Sequence, residues 1–173
     1  MSTTNIFKQF NGSIAKLVNK PAVSATLVVA ARILASTIFI VSGFGKLGAG
    51  YAGTQAYMAS AGAPGALLPL VIALEIGGGL ALLFGFQTRL VAFLLAGFCI
   101  ISGMLFHSGA DQMQQIMFMK NLAMAGGLLA FTVFGAGRLS LDGETRGLDG
   151  EARTQSSKNE ASYPYPIGQT ATR

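Results

Sequence analysis

Arg32, Glu75 and Lys120 each lie inside a run of Leu, Ile, Val, Phe, Ala and Gly. In hydrocarbon a lone charge is costly, so such side chains turn to a bundle interior and find partners there. Glu75 is the only acid in any of these runs, which makes it the expected counter-ion of both cations. Such a trio can act as a structural ion-pair network that fixes helix register. It can equally form a proton or ligand site. The residues alone leave both readings open. Asn121, next to Lys120, adds amide hydrogen bonds. His107 closes the third run, where it could relay protons, ligate a metal or simply bond to a loop. Lys46 and Arg89 fall at the rims of the runs.

Four helices must position these groups. A hydrocarbon core about 30 Å thick needs roughly 20 helical residues, and the apolar runs predict spans over 23–44, 66–85, 90–107 and 115–135. Pro21 suits a first helical turn, Gly62, Pro64 and Gly65 break the chain before the second span, and Gly135 and Gly137 end the fourth. Helical rise puts Arg32 about 13 Å and Glu75 about 16 Å from the inner side, so their depths nearly match. Lys120 is nearer the outer side and would reach inward by its stem. Small residues share the face of each charge: Ala25, Ala35, Ser36 and Gly43 with Arg32, Gly78 and Gly79 with Glu75, Ala123 and Gly127 with Lys120. Such faces let membrane helices approach closely.

Orientation follows from Lys and Arg. Lys8, Lys16 and Lys20 precede the first span, Arg89 lies between the second and third, and Arg138, Arg146 and Arg153 follow the fourth, whereas the opposite side has Lys46. Both termini are therefore expected in the cytoplasm. Arg32 interrupts the first apolar run, which argues against a cleaved signal peptide. Residues 1–22 form an N-terminal segment in which Ile6, Phe7, Phe10, Ile14, Leu17 and Val18 fall within an arc of about 120°. An amphipathic helix over 6–20 can lie on an anionic leaflet, although Gly12 weakens it. After a membrane domain spanning 23–138, residues 139–173 are polar, their charges balance once Arg138 is counted, and they read as a disordered cytoplasmic tail. Tyr163-Pro164-Tyr165-Pro166 is either a docking motif or plain solvated chain.

Composition agrees with an all-α, four-helix transmembrane bundle. Hydrophobic residues make up 51% of 173 and charged residues 11%, with mean hydropathy +0.54; soluble domains carry about 25% charged residues. The net charge of +5 is not a nucleic-acid footprint, because no basic stripe with interleaved aromatics accompanies it. The single Cys99 excludes an internal disulfide and reads as an inert core residue. Gly43 to Gly48 matches GxGxxG but follows no strand, so it is no dinucleotide loop. Met104, Met113, Met117 and Met119 gather near His107; copper(I) binding is conceivable, and apolar filler is the commoner use. There is no haem, flavin or metal motif.

The order of several short pieces resembles the DoxX family, and within it the YqjF-like group of small bacterial inner-membrane proteins. These pieces are Arg32-Ile33-Leu34, Ser42-Gly43-Phe44-Gly45-Lys46, Gly50-Tyr51-Ala52-Gly53-Thr54-Gln55 with Tyr57-Met58, Leu74-Glu75-Ile76-Gly77-Gly78-Gly79, Thr88-Arg89, Leu105-Phe106-His107-Ser108, Met117-Phe118-Met119-Lys120-Asn121-Leu122 and Gly135-Ala136-Gly137-Arg138. The resemblance covers about residues 26–142. It implies the four-span topology and recurrent polar positions at Arg32, Lys46, Glu75, Arg89, His107, Lys120 and Asn121. It establishes no catalytic residue. The family name comes from similarity to a membrane subunit of a thiosulfate:quinone oxidoreductase, and relatives are associated with redox and thiol stress. The resemblance therefore favours a redox- or stress-associated membrane component whose polar pocket holds a quinone or meets an oxidoreductase partner. A homo-oligomeric small-molecule carrier and a non-catalytic scaffold are the alternatives.

Overall fold

A computed structural model describes residues 3–143, with side chains from residue 5 onward. The rest of the expected tail, including the Tyr-Pro motif, lies outside the described residues. Helix α1 (Thr3–Val18) is followed by α2 (Pro21–Gly45), α3 (Gly50–Ser60), a short 3-10 turn (Gly65–Leu67), α4 (Leu68–Phe84), α5 (Thr88–Phe106) and α6 (Gln112–Phe134). Among the described residues there is no strand. Helices α2, α4 with its preceding turn, α5 and α6 are each long and apolar enough to cross a membrane. They are the four expected spans, shifted by a few residues at their ends.

The chain leaves α1 through Asn19 and Lys20, whose extended backbone hands over to Pro21 at the head of α2. Proline has no N–H to lose there and its fixed φ suits a first turn. At the other end of α2 the chain enters α3, which lies outside the four spans. Residue Gly85, left-handed at φ 70°, closes α4, with Phe86 N–H bonded to Ala81 O at 2.8 Å. Glycine meets that conformation without a Cβ clash. Two ends of the bundle result. The termini end holds α1, the 85–87 turn and residues 135–143; the distal end holds α3 and the 107–111 linker.

Close approach between helices follows the small residues. A Cβ on Gly43 would stand 2.6 Å from Ile76 Cγ1, and one on Gly79 would stand 2.7 Å from Ile40 Cγ1. Helices α2 and α4 therefore pack with almost no side chain between them. Gly78 packs against Leu95 of α5, and Gly103 against Asn121 and Phe118 of α6. The core sits where the four helices converge, around Phe39, Leu82, Leu95, Ala96, Cys99, Ala125 and Leu128. Outward faces carry exposed Leu34, Val41, Phe93, Ile101 and Val133. An apolar surface of that extent is a lipid-facing one. Exposed Ile6, Phe7, Phe10, Ile14 and Leu17 line α1, which packs against α2.

Candidate functional site

Side chains on a helix lean toward its N-terminus. Helix α2 runs away from the termini end, whereas α4 and α6 run toward it. The charges therefore point in different directions, although Arg32 and Glu75 are expected at nearly one depth. Arg32 leans to the termini end; Glu75 and Lys120 lean to the distal end.

At the distal end, Lys46 follows the last turn of α2 and folds back over it. Its Nζ donates to Ser42 Oγ at 2.7 Å and to Ser42 O at 3.3 Å. The same ammonium reaches Glu75 Oε1 at 2.9 Å and Oε2 at 2.8 Å. Ser42 Oγ also donates to Glu75 Oε1 at 3.2 Å. The Oε2 contact is ionic and lies off the hydrogen-bonding direction. The Glu75 side chain is 4% exposed and that of Lys46 20%. The expected pairing is thus corrected: Glu75 meets neither Arg32 nor Lys120, and Lys46, expected at the rim, is its partner.

This pair forms part of the wall of a cavity of about 230 Å³ between α2, α4, α5 and α6, with α3 across its distal side. Lys120, Asn121 and His107 share that wall. Lys120 Nζ has Met117 Sδ at 3.4 Å and, among the described residues, no carboxylate within ion-pair distance. Asn121 is anchored by Nδ2 to Met117 O at 3.0 Å. His107 Nδ1 is 2.9 Å from Gln114 Oε1. Phe39, Phe98, Phe106 and Met124 supply apolar wall. Five of the seven expected polar positions are brought together here.

Arg32 and Arg89 are not among them. Arg32 is 3% exposed and donates Nη2 to Leu139 O at 2.5 Å. Its Nε and Nη1 make no hydrogen bond, while the Asp142 carboxylate acts on it through space. Asp142 also accepts from Gln87 N and Thr88 N, both at 2.8 Å, and so caps α5. Residues 139–143, expected as the start of the tail, are docked under the bundle. Arg89 donates Nη1 to Thr132 O at 3.2 Å and Val133 O at 2.6 Å. A cation there satisfies the terminal carbonyls of α6 and complements its dipole.

Helix α3 was not expected as a helix, and Ser42 was not expected at the site, although both lie in the stretches that carry the family resemblance. Tyr57 of α3 stacks on Phe106 with ring centroids 5.3 Å apart, and its hydroxyl lies 3.4 Å from Phe106 O. Thr54 and Met58 face the same cavity. Ser42 carried a signal in its spacing, since residues four apart on a helix are neighbours, and Lys46 is four on. Cys99, expected as inert core, also borders the cavity.

Four apolar helices around one buried ion pair define a small polytopic membrane protein with a polar distal cavity. The chain belongs to the DoxX family, whose model matches residues 27–108. That range includes Arg32, Lys46, Glu75, Arg89 and His107 and stops short of Lys120 and Asn121. The chain is 53% identical over 116 residues to the inner membrane protein YqjF of Escherichia coli strain K12, an alignment covering 66% of this chain and 88% of that relative. It is 35% identical over 129 residues to the inner membrane protein YphA of the same strain, covering 70% and 91%. No solved structure matches at a significant level.

Proposed function

We propose that this chain is a redox-associated inner-membrane component that holds a quinone head group in the distal cavity, with both termini in the cytoplasm. The observation that carries the reading is Lys120. Lys46 already satisfies Glu75, so Lys120 adds a second cation to a largely apolar cavity without a carboxylate of its own. Lys120 is itself exposed at the edge of that cavity, and a ligand with electron-rich oxygens would answer its donor through a charge-assisted hydrogen bond. Phe98 and Phe106 offer apolar faces for a ring. At about 230 Å³ the cavity is smaller than sites for whole drug-sized ligands. That size suits a head group whose isoprenoid tail stays in lipid. The quinone would carry the electrons and exchange them with an oxidoreductase partner.

The test is extraction of the purified protein and mass spectrometry of the extract, followed by thermal unfolding with added short-chain ubiquinone and menaquinone. The expected result is a co-purifying quinone and a stabilising shift, both lost in Lys120→Met at normal folded yield. Neither retention nor stabilisation in the wild type would overturn the reading. Binding of a non-quinone metabolite would move it to the carrier class.

A further inference from the structure

His107 is the sole histidine of the chain, and it borders two voids. One is the cavity with the Lys46–Glu75 pair. The other is a distal groove of about 810 Å³ at the end of α5 and the start of α6, walled also by Met104, Gln112 and Met119. Between these voids one edge of the ring is fixed. Nδ1 faces Gln114 Oε1 at 2.9 Å. An amide oxygen only accepts, so Nδ1 carries the hydrogen and Nε2 keeps its lone pair. Gln114 is held in turn, because its N–H donates to Asp111 Oδ1 at 3.0 Å, the N-cap of α6. The residue also ends α5, with its N–H bonded to Gly103 O at 3.0 Å.

We propose that His107 exchanges protons between the intramembrane cavity and the distal groove for a ligand with a dissociable hydroxyl, such as a quinol. The inference deepens the quinone reading and rests on it. In the inward half, the ligand O–H bond breaks and an Nε2–H bond forms, leaving a ligand anion and an imidazolium. In the outward half, Nε2 gives that proton to water in the groove and the starting tautomer returns. No electron moves in either half. The titratable groups around the cavity are Lys46 of α2, Tyr57 of α3, Glu75 of α4, Cys99 of α5 and Lys120 of α6, with Asp111 at the head of α6. Glu75 is occupied by Lys46. That leaves the His107 imidazole as the uncommitted base, while Lys120 stabilises the ligand anion.

Because the chain has one histidine, isotope-labelled histidine in the full-length protein in lipid nanodiscs gives one set of ring signals in a pH titration by NMR. The expected neutral form carries its hydrogen on Nδ1. A bound quinol that shares its hydroxyl with Nε2 holds the ring neutral to lower pH, by roughly half a unit or about a threefold loss of proton affinity. The oxidised quinone, with no hydroxyl to share, shifts it less. An Nε2–H tautomer, or a ring that never charges above pH 5, overturns the proposal. So does an equal shift with quinone and quinol, or none while thermal unfolding shows quinol bound. If neither quinone nor quinol binds the wild type, the quinone reading falls and this inference with it.

Discussion

The Lys46 ammonium stands 2.9 and 2.8 Å from the two carboxylate oxygens of Glu75, across 29 residues of sequence. It ties the distal end of α2 to the middle of α4. A buried pair of this kind adds little over well-packed neutral residues, yet breaking it strands a charge and costs about 3–5 kcal/mol. Lys46→Met and Glu75→Ala should each lower the unfolding temperature in detergent sharply. The double variant Lys46→Met, Glu75→Gln should recover most of the loss, since it leaves no unpaired charge. Single variants as stable as the wild type would mean the pair is solvated.

The same two helices set the geometry of that pair through Gly43. An alanine there would press on Ile76 Cγ1 at 2.6 Å, Glu75 Cβ at 3.1 Å and Ile76 N at 3.2 Å. Two of these neighbours cannot rotate away, so Gly43→Ala should force α2 and α4 apart. Overpacking of this order costs typically 1–3 kcal/mol. Gly97→Ala is the control, because nothing lies within 4 Å of its added Cβ. Equal folded yields for the two variants would refute the close approach.

Spans and their small-residue faces were legible in the sequence because apolar length and glycine placement both report helix packing directly. The partner of Glu75 was not. Matching depths made Arg32 the natural choice, but depth is a property of the backbone, and side-chain lean depends on chain direction. Arg32 on α2 and Glu75 on the antiparallel α4 lean away from each other. Lys46, just beyond the end of α2, leans back toward Glu75. Helix α3 was missed for a different reason. Its Gly50, Thr54 and Gln55 are weak in helix pattern and its exposed face is mixed, so nothing in the periodicity separates it from a loop.

At the termini end, Gly85 should tolerate no side chain. Its φ of 70° is left-handed, and an added Cβ would run into Arg32 Nη1 and Ser140 Cβ. Gly85→Ala should displace the guanidinium from Leu139 O and loosen residues 139–143. Asp142→Ala should loosen the same segment by removing two backbone caps, at about 1–2 kcal/mol. Amide hydrogen exchange at Gln87, Thr88 and residues 139–143 reads both. Unchanged protection in either variant would show that Arg32 and Asp142 do not hold the segment.

Orientation rests on charge. Nine of the twelve Lys and Arg fall on one side if both termini are cytoplasmic, and the positive-inside rule predicts that this side faces the cytoplasm. Reporter fusions after residue 20 and after residue 145 should both report cytoplasm. A periplasmic signal from either fusion would invert the proposed placement of the distal cavity.

Cys99 offers a native probe of that cavity. It is the only cysteine, 1% exposed, and it borders the void beside Lys120 and Glu75. A small, neutral, membrane-permeant maleimide should label it slowly, because the sulfur is almost wholly covered. Quinone in the cavity would cover the sulfur, so labelling should slow several-fold with added short-chain ubiquinone. Tyr57→Ala removes the ring that stacks on Phe106 at 5.3 Å and should speed labelling of the empty protein. Lys120→Met, compared with its own rate without quinone, should abolish protection, separating ligand binding from the charge and shape of the cavity. Protection that survives in Lys120→Met would place the ligand's polar contact elsewhere on the wall. Labelling unaffected by quinone in the wild type would put the ligand outside the cavity.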